Sequence, residues 1–212
     1  MRWPRLLLVL SIFSIVLRGQ TPSGPGSSSR PKHSHSAAVQ TPDAGAVTDD
    51  VYRNATYTFS YKIPVGWVER TDDMQNEGAD STKSRVLLAI FERPPDAPGD
   101  TINSAVVIAA EKASNYPGLK SAADYFGPLE ELVGAKGFKI VSGPDEFAVG
   151  TKKLVRGDFA KDMPGVNKDR LTMQQSTLVE LERDYVVSFT FIAGDEDEVE
   201  ELIGNLSFAL RK

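Results

Sequence analysis

The densest group of chemically active side chains lies near the end of the chain, where six carboxylates fall within seven residues, 195–201. Because calcium takes about six to eight oxygen ligands, Asp195, Asp197, Glu198 and Glu201 are candidate ligands of a divalent cation. Their spacing lacks the glycine of an EF-hand loop. The alternative interpretation is the acidic first turn of a helix, which the helix dipole and solvent stabilise.

Histidine and cysteine are missing from the part of the chain that follows residue 50. The two histidines, His33 and His35, precede it, and the chain contains no cysteine. This removes the commonest proton shuttle, every thiol nucleophile and every thiolate metal site from that part. The composition therefore favours a binding protein without a cofactor over an enzyme.

Two further pairs of carboxylates are Asp72 with Asp73 and Glu130 with Glu131. Paired carboxylates hydrolyse glycosides when they flank the scissile bond. Adjacent residues on a helix or strand do not face each other, so such pairs are more typical of an exposed surface. A carboxylate hydrolase would instead need two carboxyl groups from separate elements to converge within about 5–10 Å in a pocket.

An aromatic segment at residues 57–67 alternates apolar and polar side chains, which predicts a half-buried strand that ends at Pro64. The turn that follows would return Trp67 to the core. Tyr57, Tyr61 and Trp67 have two interpretations. They could line a ligand or partner surface, or they could be core residues, as aromatic side chains on an alternating strand usually are.

The remaining apolar patterns predict the elements that position these side chains. They are strands at residues 85–92 and 103–111, a helix capped by Ser121, a strand at 137–142 with a turn at 143–145, one strand or a bent pair at 146–161, a hairpin of 170–182 with 185–192, and a helix at 195–206. Gly127 and Pro128 interrupt the helix after Ser121, so that it either kinks there or is followed by a second short helix that begins at Pro128. Crossover helices do not alternate with the strands. The order therefore predicts an α+β fold, a twisted and mainly antiparallel sheet flanked by helices.

The first 49 residues are typical of a targeting signal followed by a linker. Arg2 and Arg5 precede an apolar run at residues 6–17, which predicts a secretory signal over residues 1–19, with an uncleaved signal anchor as the alternative. Residues 20–49 are rich in Ser, Pro and Gly and predict a disordered linker. Residues 50–212 then form a single domain, which we expect to be exported to the periplasm or the exterior.

The formal net charge is −5 at pH 7. Binding to nucleic acid needs clustered cations, so this charge argues against a nucleic-acid partner. It argues equally against adhesion to anionic lipid, which leaves an uncleaved signal anchor as the only expected contact with a membrane.

Three segments resemble the PsbP-like family. They are residues 59–67, the Gly-Phe-Lys-Ile-Val stretch at 137–141, and the closing hairpin with its acidic helix, which ends at 205–208. The resemblance spans roughly residues 52–210. That family shares its fold with a nuclear-import factor that binds the small GTPase Ran. The resemblance implies an α/β/α-like sandwich around an antiparallel sheet and a function in binding other proteins, and it carries over no catalytic residue.

Two functional hypotheses follow from the sequence. The first is an exported, non-catalytic binding or assembly module that acts through protein–protein contacts in the cell envelope. The alternative is a carboxylate-based hydrolase, or a protein that binds a small ligand or a divalent ion.

Overall fold

The computed structural model describes residues 44–78, 84–94, 97, 99–165 and 170–208. The predicted signal and the predicted linker up to residue 43 lie outside the described residues. Residues 44–49, which the prediction counts with the linker, include the first strand. None of the helices in the described ranges is long and apolar enough to cross a membrane.

The described residues form eleven strands and three α-helices. The strands are β1 (Ala46–Thr48), β2 (Val51–Asn54), β3 (Phe59–Lys62), β4 (Val68–Glu69), β5 (Ser84–Phe91), β6 (Ala105–Lys112), β7 (Lys139–Val149), β8 (Lys152–Pro164), β9 (Arg170–Glu182), β10 (Tyr185–Ala193) and β11 (Leu206–Phe208). The helices are α1 (Thr71–Gly78), α2 (Phe126–Ala135) and α3 (Glu196–Gly204).

Two antiparallel sheets carry the fold. The larger sheet has the strand order β4-β5-β6-β10-β9-β8-β7, and the smaller has the order β1-β2-β3-β11. Every neighbouring pair is antiparallel. The prediction of an α+β fold with a mainly antiparallel sheet is confirmed, and so is the long hairpin that β9 and β10 form.

The larger sheet is covered on both faces. One face packs against the smaller sheet and α3 in a core that includes Tyr61, Leu178, Phe189 and Leu202. The other face packs against Met74 of α1 and against the apolar side of α2. Because side chains alternate along a strand, the strands β5, β6, β9 and β10 supply residues to both faces, which explains their long runs of buried residues.

The strand β7 differs from the prediction, since residues 143–145 do not form a turn. The strand continues through Gly143 and Pro144 to Val149, with two register shifts between residues 140 and 145. It lies at the edge of the larger sheet, where a proline and a bulge are tolerated. Gly143 adopts φ +89° against the backbone of Arg156 and Gly157, where a Cβ atom would clash.

The chain segments that precede α2 and β5 also differ in detail from the prediction. The Ser121 cap is present, because its backbone N–H donates to Asp124 Oδ2 over 2.8 Å, but it opens a 3-10 turn at Ala122–Tyr125, and α2 follows. The helix α1 has no counterpart in the prediction.

Candidate functional site

A polar cavity of about 280 Å³ lies between the first half of α3 and the strands β7, β8 and β9. We call it the α3 cavity. All four elements contribute residues to its walls. These residues are Val141 and Ser142 of β7, Arg156 and Asp158 of β8, Ser176 of β9, and Glu196, Asp197, Val199 and Glu200 of α3. Gln174 and Gln175 also border it.

Arg156 is the central charged group of the α3 cavity. Its Nε donates to Asp158 Oδ1 over 2.8 Å, and its Nη1 lies 2.6 Å from Glu200 Oε1. The guanidinium also lies over the ring of Phe147, 5.0 Å from the centroid. The hydroxyl of Ser142 donates to the second oxygen of Asp158 over 2.7 Å. Since Asp158 lies on β8 together with Arg156, the ion pair with Glu200 is the contact that ties α3 to the larger sheet.

Strand alternation and register bring these side chains together. Asp158 is paired with Ser176 on one side and with Ser142 on the other. Arg156 is paired with Leu178, which belongs to the core beneath α3. Residues two apart on a strand share a face, so these side chains line the sheet face that α3 covers.

A bulge places an apolar side chain at the mouth of the cavity. The register of β7 against β8 shifts between Ile140 and Ser142, which leaves Val141 as the extra residue. Bulges bend a strand and re-aim its side chains. Val141 is 55% exposed, and so is its neighbour Ile140. Val141 thus borders the α3 cavity, whereas Ile140 is paired with Phe159 of the α2 core and lies on the opposite face.

The acidic segment at the start of α3 has two roles. Asp195 is the N-cap and accepts from the backbone N–H of Glu198 over 2.8 Å, while Glu198 Oε2 accepts from the N–H of Gly194 over 3.3 Å. The next carboxylates, Glu196 and Asp197, line the α3 cavity together with Glu200.

The four candidate metal ligands are thus divided. Asp195 and Glu198 serve the cap, Asp197 lines the cavity, and Glu201 is an exposed residue of α3 whose backbone carbonyl accepts from Asn205. Within the part of the chain that the structure describes, no group of three or more His, Cys, Asp or Glu side chains is arranged to hold a metal ion.

Ser176 is a buried polar group in the cavity wall. Its side chain is on the face that α3 covers, it is 1% exposed, and its Oγ has no hydrogen-bond partner among the described residues. Its neighbour Gln175 points to the opposite face and donates to Thr177 Oγ1 over 3.2 Å. Leaving a buried hydroxyl without a partner costs about 1–3 kcal/mol, so an orphan hydroxyl in a native structure calls for an explanation.

The aromatic residues Tyr57, Tyr61 and Trp67 are not among the residues that line the α3 cavity. Tyr57 and Tyr61 are 2% and 0% exposed and belong to the core between the sheets. The Tyr61 hydroxyl donates to the backbone carbonyl of Leu202 in α3 over 3.0 Å, and burial raises its pKa. Trp67 is partly buried and packs against the same core.

A second polar cluster lies on the opposite face of the larger sheet. Glu111 is 8% exposed and accepts hydrogen bonds from the hydroxyls of Tyr116 and Tyr125, over 2.7 and 2.8 Å. Burial raises the pKa of Glu111, and the two tyrosine donors oppose that shift. The cluster satisfies its own hydrogen bonds and packs within the α2 core, which is typical of a structural group.

Sequence reasoning missed the residues that form the α3 cavity, apart from its acidic helix. Arg156 and Ser176 lie on predicted strands, but no local motif marks either of them. The available signal was the charged residue Arg156 in a partly apolar strand. That signal could be interpreted only once the register of β8 against its neighbouring strands was known.

Comparison with known proteins adds little beyond the fold. No family model and no curated protein matches the chain. A protein of Bacteroides thetaiotaomicron matches at 15% identity and a TM-score of 0.37, over 76% of this chain and 48% of its own, so this chain spans about half of it. The Ran-binding protein Mog1p of Saccharomyces cerevisiae matches at 9% identity and a TM-score of 0.41, over 71% and 90%.

A third structure, LpqN of Mycobacterium tuberculosis, is described as involved in cell envelope biogenesis. It matches at 16% identity and a TM-score of 0.39, over 68% of this chain and 75% of its own. At these TM-scores the similarities do not bear on function.

Proposed function

We propose that the protein is an exported, non-catalytic binding module that meets a protein partner at its α3 face, by which we mean the α3 cavity together with the exposed side chain of Val141 at its mouth. The observation that carries this proposal is the bulged Val141, 55% exposed at the mouth of a cavity whose wall holds the unpartnered hydroxyl of Ser176. A partner that docked here would cover the exposed apolar side chain of Val141 and supply the buried hydroxyl of Ser176 with a hydrogen bond.

The partner contacts this face through side chains. Although β7 is an edge strand, its bulges, Lys139 and Pro144 are the devices that protect an edge against an added strand. Recognition therefore depends on the shape and charge of the cavity and its rim.

Hydrolysis is the weaker candidate. Asp158 and Glu200 come from separate elements and converge on one guanidinium, which is the convergence that a carboxylate hydrolase needs. The Arg156 guanidinium lies between them, however, where the scissile bond of a glycoside would have to lie. This arrangement favours binding.

Export of the module is supported by the sequence of residues 1–17, with its basic start and apolar run. We expect the mature chain to begin near Gln20. Amino-terminal sequencing of the protein recovered from cells checks this directly. A full-length chain that sediments with membranes would support the uncleaved signal anchor, and a full-length chain in the cytosol would contradict export.

Two matched variants of the full chain test the binding face. Val141→Lys introduces a positive charge at the mouth of the cavity, and Val65→Lys introduces the same charge in the turn after β3, where Val65 is 94% exposed. Both positions are exposed, so neither change should unfold the protein. We expect the Val65 variant to enrich the same partner from an envelope extract as the wild type does, and the Val141 variant to lose it. Equal enrichment by both variants would contradict the proposed face.

A further inference from the structure

We propose that the α3 cavity is a recognition site for one organic cation, the guanidinium or ammonium group of a basic side chain on the protein partner. This inference rests on the proposed function, because it specifies the chemistry of the same site. It is carried by the charge of the cavity, by the buried hydroxyl of Ser176 and by the size of the space.

The charge of the cavity favours a cation. One guanidinium, that of Arg156, faces four carboxylates, those of Asp158, Glu196, Asp197 and Glu200. Arg156 forms ion pairs with Asp158 and Glu200, but not with Glu196 or Asp197. The side chains of Glu196 and Asp197 make no hydrogen bond or ion pair with any described residue. A second cation would therefore meet free carboxylates at the mouth of the cavity.

The N-terminus of a helix usually attracts an anion, but the partial positive charge at the N-terminus of α3 is already compensated by the helix's own carboxylates. The carboxylates of Asp195 and Glu198 accept from the backbone N–H groups around the start of α3. Two further carboxylates follow in the same turn. An anionic ligand would meet like charges there.

Ser176 supplies the independent observation that points to a ligand. Ser176 is 1% exposed and lines the cavity, and its hydroxyl has no partner among the described residues. A serine hydroxyl can accept a hydrogen bond, and ammonium and guanidinium groups carry only donors. An N–H group of the occupant would satisfy the hydroxyl, while the carboxylates at the mouth would neutralise the charge.

The space fits a single side chain. A volume of about 280 Å³ falls just below the roughly 300–1,000 Å³ of sites for drug-sized ligands. Val141 and Val199 provide apolar wall for the methylene stem of a lysine or arginine, which packs against apolar surface while its head reaches polar groups.

The test uses the full chain and follows backbone amide NMR signals during titration. The probes are n-butylguanidinium, n-butylammonium and, as the anionic control, n-butyrate. We expect both cations to shift the signals of Ser176 and Asp197, and butyrate to leave them unchanged. The binding should weaken as salt is added, because exposed charges are screened.

Matched variants locate the binding. The double change Glu196→Gln with Asp197→Asn should lower the affinity for both cations about threefold to tenfold, since each exposed charge contributes modestly to binding. Ser176→Ala should also lower this affinity. Glu131→Gln on α2 and Ser188→Ala, a 4% exposed serine on the opposite face, should not. Equal binding by the double variant and the wild type would overturn the assignment.

Blocked tripeptides distinguish the source of the cation. Ala-Arg-Ala should bind at least as tightly as n-butylguanidinium, and Ala-Glu-Ala should not bind. If n-butylguanidinium binds and Ala-Arg-Ala does not, a side chain of a protein partner is excluded as the source of the cation.

Calcium chloride is the last probe, and the proposal would be overturned if calcium displaced the organic cation from the same residues. If no cation binds while the Val141 variant still loses its partner, this inference fails and the proposed function stands.

Discussion

Replacing Arg156 by Met should destabilise the fold and strengthen cation binding at the same time. The variant keeps an apolar stem of similar length and removes the guanidinium. The structure assigns three contacts to that group: Asp158 at 2.8 Å, Glu200 at 2.6 Å and the Phe147 ring at 5.0 Å. Because Asp158 and Glu200 come from β8 and α3, the change also removes a link between the sheet and the helix.

The size of the loss follows from the exposure of each partner. Glu200 is about half exposed, so its ion pair contributes about 0.2–1 kcal/mol. The hydrogen bond to the more buried Asp158 contributes about 1.5–3 kcal/mol, because both partners are charged. The contact with the Phe147 ring adds about 0.5–1 kcal/mol. Such terms overlap, and we expect a total loss of about 2–4 kcal/mol in the free energy of unfolding.

The gain in binding comes from the carboxylates that Arg156 releases. Removing one positive charge from the cavity should strengthen its attraction for an organic cation by about 1 kcal/mol, which corresponds to about fivefold in affinity. A purely structural arginine would give the opposite result, because loosening α3 would weaken any site beneath it. The two signs together therefore distinguish the two roles of the residue.

Urea unfolding measures the first effect, and NMR titration with n-butylguanidinium measures the second. Arg70→Met is the matched control, since Arg70 forms an ion pair with Asp73 within three residues of itself and should cost less than about 1 kcal/mol. A loss of stability at Arg156 no larger than that at Arg70 would refute the energetic reasoning. Weaker binding of the cation by the Arg156 variant would refute the electrostatic reasoning.

Three further predictions concern the scaffold. Burial raises the pKa of Glu111, so the folded state favours its protonated form. This group therefore stabilises the fold most below the ordinary glutamate pKa, and the stability should fall as the pH rises through the raised pKa. Urea unfolding between pH 4.5 and 8 should show that the free energy of unfolding depends less on pH in Glu111→Gln than in the wild type. Gly157→Ala places a Cβ 2.5 Å from the Phe126 ring and should cost about 1–3 kcal/mol by the same assay, whereas no loss would show that α2 can shift. Tyr61→Phe removes the hydroxyl donor from the Leu202 carbonyl, which still accepts from the backbone N–H of Asn205, and should cost about 0.5–1.5 kcal/mol. An unchanged midpoint would contradict the role of the Tyr61 bond in holding α3.

Local patterns in the sequence were enough to predict most of the elements. The hairpin of β9 and β10 follows from long alternating segments joined at Arg183 and Asp184. The helix α3 follows from its acidic first turn and from apolar residues at helical spacing, and Val199, Leu202 and Ile203 are indeed buried. In each case one stretch of chain contains both the pattern and its boundary.

The differences arise where the surroundings decide the structure. The segment of α1 has a single large apolar residue, Met74, so it carries no amphipathic pattern, and its helix depends on packing that the local sequence does not reveal. In β7, Gly143 and Pro144 are typical turn residues. They continue a strand here because they lie at the sheet edge, where no outer neighbour requires their hydrogen bonds.

The candidate site could not be predicted because it is a product of register. Ser142, Arg156, Ser176 and Glu200 are separated by at least 14 residues from one another and meet only when β7, β8 and β9 pair in one alignment beneath α3. Shifting one strand by a single residue would turn its side chains to the opposite face and dismantle the cavity. The acidic run at the start of α3 was visible in the sequence, but its position above Arg156 was not.

Photo-crosslinking in living cells is the most direct test of the proposed binding face. The full chain would carry a benzoylphenylalanine at position 141 or, as the control, at position 65, both of which are exposed valines. We predict one discrete protein adduct from position 141, none from position 65, and a weaker adduct at 141 when Glu196 and Asp197 are neutralised. An adduct from position 65 alone, or no adduct from position 141, would contradict a partner at the α3 face.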